Sequence, residues 1–465
     1  MPEEFDVVVI GGGPAGENAA AGAAAGGLST VIIEGERLGG ECSFWARVPS
    51  KAMLRPPDVY GTALGTPGVR PAIHGDVDAA AVFRFRDTMV QNLDDSSQAD
   101  WVKSVNVALI RGHARFIGPR RLAVVDAAGR EKEVTARKAV VVAVGTRTAM
   151  PDIPGLRDAK PWTNRDATGK KKAPRRLITL GGGPVALEMA QAWRALGTEE
   201  VTIVERGARI LKRFEPFACD WITAAFRQQG FDLRLRTQLK RVQRDSSGEI
   251  TATLDSGATL QADELLVAAG RITATDDLGL ETIGLKPGRP ITVDDSLRAV
   301  DVKEGWLYAV GDANGRNLLT HMGKYQGRIL GHVLNGRPAT AWADHTVTPQ
   351  IIFTQPQVAS VGLTEAAARE RGLPVRAVQV ALEAVEGYAM YGPGWRGIGQ
   401  IVVDTARHVI VGSTLIGLEV GDMLHVATVA IAGEVPRDRL WHAVPSFPSA
   451  SEIWLRLLEK WAATD

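Results

Sequence analysis

Cysteine is nearly absent from this chain: 465 residues carry two, Cys42 and Cys219. Two thiols cannot staple a protein of this length into a disulfide scaffold, and so sparse a content fits a reducing compartment, which makes a cytoplasmic location the expectation. Long apolar runs are missing as well. None approaches the roughly 18 residues that a membrane span needs, so no membrane partner is expected. No basic leader with an apolar core precedes the strand-like run that opens at Phe5, so no signal peptide is expected either. An excess of one charge is also lacking, since 54 Lys+Arg stand against 53 Asp+Glu for a net charge of +1. Bulk charge therefore gives no reason to expect nucleic acid as a partner. Specificity has to come from local sites.

What is present begins with size. A chain of 465 residues implies about three domains, at roughly 150 residues each. Two segments then share one layout. Phe5–Ile10 is an apolar run followed by G-G-G-P-A-G, and Arg176–Leu180 is another followed by G-G-G-P-V-A. Each leads into an Ala-rich stretch of helical periodicity and then an apolar strand ending in an acid, Glu34 and Glu205 respectively. Both read as βαβ units. In the first, Gly11, Gly13 and Gly16 supply the tight turn, the close backbone approach to a pyrophosphate and the close helix packing of a dinucleotide fingerprint, with Glu34 placed for ribose hydroxyls. In the second, Gly181, Gly183 and Ala186 form the G-x-G-x-x-A variant, followed by Glu188. The lysine run Lys170–Lys172 reads as a solvated loop.

Residues 39–54 read G-G-E-C-S-F-W-A-R-V-P-S-K-A-M-L. This segment resembles the redox-active stretch G-G-x-C-x-x-x-x-C-x-P-S/K-K of the class I pyridine nucleotide-disulfide oxidoreductases, a family that includes dihydrolipoamide dehydrogenase, glutathione reductase and mercuric reductase. Gly40 and Cys42 match it, and Arg47 stands where the second cysteine belongs. Tyr308–Gln326 resembles the family's second FAD motif, which assigns Asp312 to the ribityl chain or flavin-side phosphate. The turns A-V-G-T and A-A-G-R, with Gly145 and Gly270, resemble those by which such chains leave each dinucleotide domain. The resemblance implies an α/β fold with two Rossmann-like dinucleotide-binding domains and a C-terminal α+β dimerisation domain. It implies an FAD domain from 1–155 and 274–340, an NAD(P) domain from 156–273, an interface domain from 345–465, and a homodimer.

The implied cofactors are FAD and either NADPH or NADH. Glu205 favours NADH, because a carboxylate binds the 2'-hydroxyl and repels a 2'-phosphate. Arg206, Lys212 and Ala186 match NADPH-dependent relatives, and these cations with Arg209 would outweigh a Glu205 that swings out. Lys51 and Glu188 match the pair that lies beside the flavin in the dihydrolipoamide dehydrogenases. The family's partner-subunit pattern H-x-H-P-T-x-x-E reads H-A-V-P-S-F-P-S here, so His442 survives while Val444 and Ser449 replace the acid/base histidine and its glutamate. Valine cannot move a proton. Glu452, about one helical turn beyond Ser449, is a displaced candidate for that acid. Cys42 matches the outer cysteine and reads either as a buried, inert thiol, the preferred reading, or as a lone redox thiol oxidised to sulfenate, and Arg47 as a permanent cation among the catalytic groups. Phe44, Trp45 and Phe447 either present flat faces to an aromatic acceptor or fill the disulfide's volume. The expected activity is an FAD-dependent NAD(P)H oxidoreductase that reduces a small acceptor such as a quinone, not a disulfide. The alternatives are an NAD(P)H oxidase or specialised flavin dehydrogenase, and a non-catalytic flavin-binding scaffold.

Overall fold

The computed structural model describes residues 3–463. The chain divides into two compact units, Met1–Pro49, Asp87–Ala149 and Arg271–Asp344 forming the first, and Ser50–Arg86, Met150–Gly270 and His345–Asp465 the second. No helix among the described residues is long and apolar enough to cross a membrane.

Seven strands make the sheet of the first unit. Its order is Val107–Arg111, Thr30–Glu34, Glu3–Ile10, Glu131–Val142, Arg121–Val125 and His113–Gly118, with Leu307–Ala309 also paired to Glu131–Val142. Val7 to Val9 and Val140 to Val142 are wholly buried, as parallel strands covered on both faces should be. The strand Glu131–Val142 changes role along its length. From Val134 to Val142 it runs parallel to Glu3–Ile10 on one edge, while on the other edge Glu131 to Thr135 run antiparallel to Arg121–Val125 and Val140 to Val142 parallel to Leu307–Ala309.

Helices Pro14–Ala24 and Thr320–Leu334 meet along a seam of small residues. A Cβ on Gly22 would lie 2.8 Å from Gly331 Cα, and one on Gly327 would lie 2.8 Å from the Ala15 carbonyl oxygen. Side chains there would force the helices apart. The seam sets the first glycine turn beside the turn Gly311–Asn314, where a Cβ on Gly311 would come within 2.9 Å of Ala15 Cβ. Just beyond Gly145 and Gly270, Thr146–Thr148 and Arg271–Thr273 pair as an antiparallel ribbon.

The second unit holds a parallel sheet in the order Asp232–Leu235, Glu200–Glu205, Arg176–Leu180, Glu264–Val267, and a three-stranded antiparallel sheet of Leu239–Arg244, Ile250–Leu254 and Thr259–Ala262. Its later residues form a five-stranded antiparallel sheet, Gln350–Ile352, Gln357–Gly362, Val409–Gly417, Ile398–Asp404 and Val375–Ala381 in that order. Trp193 on helix Pro184–Ala195 is fully buried between Phe83 and Trp162, with ring centroids 5.7 and 5.2 Å away. Truncating such a ring typically costs about 3–5 kcal/mol, so this cluster anchors the helix that carries Glu188.

Candidate functional site

The two glycine turns share one backbone geometry. Gly11 has φ +100° and Gly181 φ +118°, and a Cβ would lie 2.6 Å from the Ala143 carbonyl oxygen at the first and 2.5 Å from that of Ala268 at the second. Neither position tolerates a side chain. A Cβ on Gly16 would sit 2.0 Å from the Gly11 oxygen, and the equivalent Ala186 is fully buried. At Gly13 and Gly183, by contrast, a Cβ would meet nothing within 4 Å. Both following helices start at a proline with no side-chain cap. Their first-turn N–H groups and dipole are thus left to an anion arriving through open space, which fits the pyrophosphate of a dinucleotide.

The acids at the strand ends repeat the symmetry. Glu34 accepts the Gly12 N–H at 2.6 Å and the Glu36 N–H at 2.7 Å, while Glu205 accepts those of Gly182 at 2.7 Å and Gly207 at 2.5 Å. Burial raises the Glu34 carboxyl against the pull of its two N–H donors. Glu205 is therefore turned into its glycine loop and not swung out. Arg209, grouped in the sequence with the cations that would outweigh Glu205, is held by Asp220 at 2.8 Å. Arg206 and Lys212 are exposed and have no ion-pair partner among the described residues.

Asp312 is half-buried in its turn and accepts the Thr146 hydroxyl at 2.5 Å. Arg271 grips Thr146 twice, at its hydroxyl (2.6 Å) and its carbonyl (2.5 Å), and lies 3.6 Å from Glu41. Burial raises the Asp312 carboxyl, and Thr146, Arg271 and Arg47 oppose that rise. Sequence reasoning stopped at Gly145 (φ +71°) and Gly270 (φ +135°). Of the polar residues immediately after them, Thr146 bonds to Asp312 and Arg271 holds Thr146, and the motifs A-V-G-T and A-A-G-R carry that signal.

Cys42 lies on the short helix Gly40–Phe44 and accepts a hydrogen bond from the Thr320 hydroxyl at 3.1 Å. Gly40 has φ +53°, and a Cβ there would lie 3.1 Å from Gly13 Cα. Burial pushes the Cys42 thiol up, which suppresses the thiolate. Arg47, first residue of helix Arg47–Gly65, donates from Nη2 to the Leu318 carbonyl at 3.3 Å. Phe44 is buried; Trp45 is half-exposed, its ring 5.7 Å from that of Phe44 and 6.0 Å from the Arg37 guanidinium. Cys42 and Cys219 are both free; Cys219 is buried, whereas Cys42, expected to be buried, is only half-buried.

Glu17, unremarked in the sequence, follows the first fingerprint on helix Pro14–Ala24. Its Oε1 is buried without a hydrogen-bond partner among the described residues, and burial raises its carboxyl from 4.5 to about 7. The folded value lies above the unfolded one, so the native state holds the extra proton between those limits and stability falls as pH rises through that window. Glu17→Gln is expected to abolish the fall, gaining on the order of 2 kcal/mol at about pH 8 and nothing at about pH 4. Denaturant unfolding of both proteins at the two pH values checks this. An equal difference at both would refute it.

In the second unit Lys51 Nζ lies 2.5 Å from Glu188 Oε2, with the lysine side chain 26% and the glutamate 6% exposed. The N–H of Phe353 donates to the other carboxylate oxygen at 3.0 Å. At the surface, Val444 and Phe447 are 83% and 71% exposed, and Ser449 donates to the Ser446 carbonyl at 2.6 Å. Glu452 cannot stand in for an outward-facing acid: it is buried, 3.6 Å from Arg456. Among the described residues no group of three or more His, Cys, Asp or Glu is arranged to hold a metal ion.

Residues 5–328 match the family model of the pyridine nucleotide-disulphide oxidoreductases, and residues 348–457 match that family's dimerisation domain. The chain is 32% identical over 460 residues to dihydrolipoyl dehydrogenase of Chlorobaculum tepidum, covering 97% of this chain and 96% of that one. It is 31% identical over 461 residues to mercuric reductase of Streptomyces lividans, covering 97% and 95%. Among solved structures it is similar to a Cu(II) complex of the HOCl-induced flavoprotein disulfide reductase RclA from Escherichia coli, with a TM-score of 0.85, 25% identity and 99% of each chain covered. The fold is α/β, with FAD and NAD domains and a C-terminal dimerisation domain. Members of the family use FAD and NAD(P)H. Matched along nearly its whole length, the chain belongs to the pyridine nucleotide-disulphide oxidoreductase family, whose members are flavin-dependent oxidoreductases.

Proposed function

We propose that this chain is an FAD-dependent NAD(P)H oxidoreductase that hands electrons to a small acceptor, a quinone foremost, and not to a disulfide. One observation carries the reading: the residues for both dinucleotides are present, while Arg47 occupies the second redox-cysteine position and the two cysteines of the chain are free. Bound FAD supplies hydride acceptance and electron release. Gly11, Gly13, Gly16, Glu34, Gly40, Gly145 and Asp312 hold it, with Cys42 alongside. Gly181, Gly183, Ala186, Glu205 and Gly270 hold the nicotinamide dinucleotide. Glu205 turned inward and Arg209 engaged by Asp220 favour NADH, leaving Arg206 and Lys212 as the cations facing a 2'-phosphate.

Lys51 and Glu188 orient the nicotinamide at the point of hydride transfer, and Arg47 presents a permanent cation to an anionic or quinoid oxygen. The domains of this reading are 1–155 with 274–340 for FAD, 156–273 for NAD(P) and 345–465 for the interface. The match of residues 348–457 to a dimerisation domain and the outward apolar side chains of Val444 and Phe447 support a homodimer, and the sparse cysteine content a cytoplasmic one. Against a disulfide acceptor stand Arg47, Val444 and Ser449, which replace the second cysteine, the histidine and the glutamate of the family pattern that the chain resembles.

Anaerobic titration of the FAD-loaded protein with NADH and NADPH, followed by reoxidation with quinones, disulfides and oxygen, tests the proposal. Uptake of about two electrons per subunit, preference for NADH and fastest reoxidation by quinone are expected. Uptake of about four, or reoxidation by lipoamide or glutathione disulfide at quinone-like rates, would overturn it. Faster reoxidation by oxygen would make the protein an oxidase, and a flavin that neither nucleotide bleaches would make it a scaffold.

A further inference from the structure

We infer that Phe353 is the positioning residue of the Lys51–Glu188 pair, holding ammonium and carboxylate in one relative placement by touching both. The inference rests on the hydride-input role proposed above for that pair. Phe353 directly follows strand Gln350–Ile352, and its two contacts come from different parts of the residue. Its backbone N–H donates to Glu188 Oε1 at 3.0 Å, while its ring lies under Lys51 Nζ, 4.8 Å from the centroid. The other carboxylate oxygen takes Lys51 Nζ at 2.5 Å, and the ammonium also reaches the Ser50 hydroxyl at 3.4 Å.

Each contact removes one freedom. With both oxygens occupied from different elements, the carboxylate of Glu188 cannot rotate without losing a charge-assisted hydrogen bond. A lysine stem is otherwise flexible and its ammonium strongly hydrated. The face of the ring attracts the cation and replaces water on that side, so Nζ is confined between an oxygen and a π-face. Phe353 itself is fixed from the same helix that carries Glu188. One turn along Pro184–Ala195, Gln191 accepts the Gln355 N–H at 2.8 Å and donates to the Gln355 carbonyl at 2.9 Å, and the Thr354 hydroxyl closes the turn onto the Pro356 carbonyl at 2.7 Å. A phenyl group that only filled space would be exchangeable for leucine, since nothing in apolar packing distinguishes a π-face from a branched alkyl group of similar volume.

The test compares Phe353→Leu, Phe353→Tyr and Phe353→Trp with wild type, each FAD-loaded and matched for melting temperature. Two quantities are read: the rate of flavin reduction by saturating NADH in stopped flow, and the acetylation rate of Lys51 by mass spectrometry with no nucleotide present. Phe353→Leu is expected to slow reduction about 2- to 30-fold with little change in the NADH dissociation constant, and to speed Lys51 acetylation over a similar range. Phe353→Tyr and Phe353→Trp, which keep a π-face, are expected to restore both. An unchanged reduction rate in Phe353→Leu, whatever the labelling shows, overturns the inference, and so does failure of both aromatic variants to rescue. Lys51→Met separates the two levels. If it too leaves reduction unchanged, the hydride-input reading falls; if it slows reduction while Phe353→Leu does not, only the role of Phe353 falls.

Discussion

Lys51→Met is expected to slow flavin reduction by NADH about 100- to 1,000-fold, the loss usually seen when one preorganised charged or donor group is taken from a reacting centre. It also carries a stability cost of a different origin. Glu188 is almost fully buried and its Oε2 is held by Lys51, so removing the ammonium leaves a carboxylate with one oxygen unpaired away from water. Breaking a buried pair from one side typically costs about 3–5 kcal/mol, and the partial exposure of Lys51 reduces that to about 1–3 kcal/mol. The double variant Lys51→Met/Glu188→Gln keeps an acceptor for the Phe353 N–H and removes the orphan charge. It is expected to recover most of the stability and none of the rate. Stopped-flow reduction beside denaturant unfolding measures the two effects. A double variant that regained speed along with stability would reduce the pair to a structural salt bridge.

Arg47→Cys is expected to raise electron uptake from about two to about four per subunit yet leave lipoamide and glutathione-disulfide reduction near background. A second sulfur at the family spacing can pair with Cys42 if the Cα atoms lie within about 7 Å. The resulting dithiol would still lack a proton shuttle, because Val444 carries no titratable atom and Ser449 is hydrogen-bonded to Ser446. Adding Val444→His and Ser449→Glu to Arg47→Cys is expected to raise disulfide reduction by about 100-fold or more over the single variant, the usual contribution of general acid–base catalysis. Titration with dithionite and lipoamide turnover read both claims. Substantial lipoamide turnover by Arg47→Cys alone would show that the three losses are not one coupled change.

Much of this is legible in the sequence. The duplicated run of strand, glycine turn, helix and acid is a local pattern, so its two copies fold into two turns whose positive φ angles and close carbonyl contacts coincide. Missing chemistry is legible in the same way. Arg47, Val444 and Ser449 are absences of a sulfur, an imidazole and a carboxylate, and no fold can supply an atom that the chain lacks.

What the chain order left open was every property that depends on a distant neighbour. Whether Glu205 points in or out depends on the N–H groups of Gly182 and Gly207; whether Arg209 is free depends on Asp220 from the next helix. Glu17 reads as an ordinary first-turn acid until its burial is known. Thr146 and Arg271 join Asp312 only because two chain segments more than a hundred residues apart pair as a ribbon. Phe353 comes to Lys51 and Glu188 from a third stretch of sequence with no motif of its own. Residue identity and spacing thus determined the family, its cofactors and the missing dithiol, because those rest on covalent order and local backbone rules. Orientation, burial and partnership were decided by tertiary structure alone, because hydrogen bonds and desolvation act through space between segments that the sequence keeps apart.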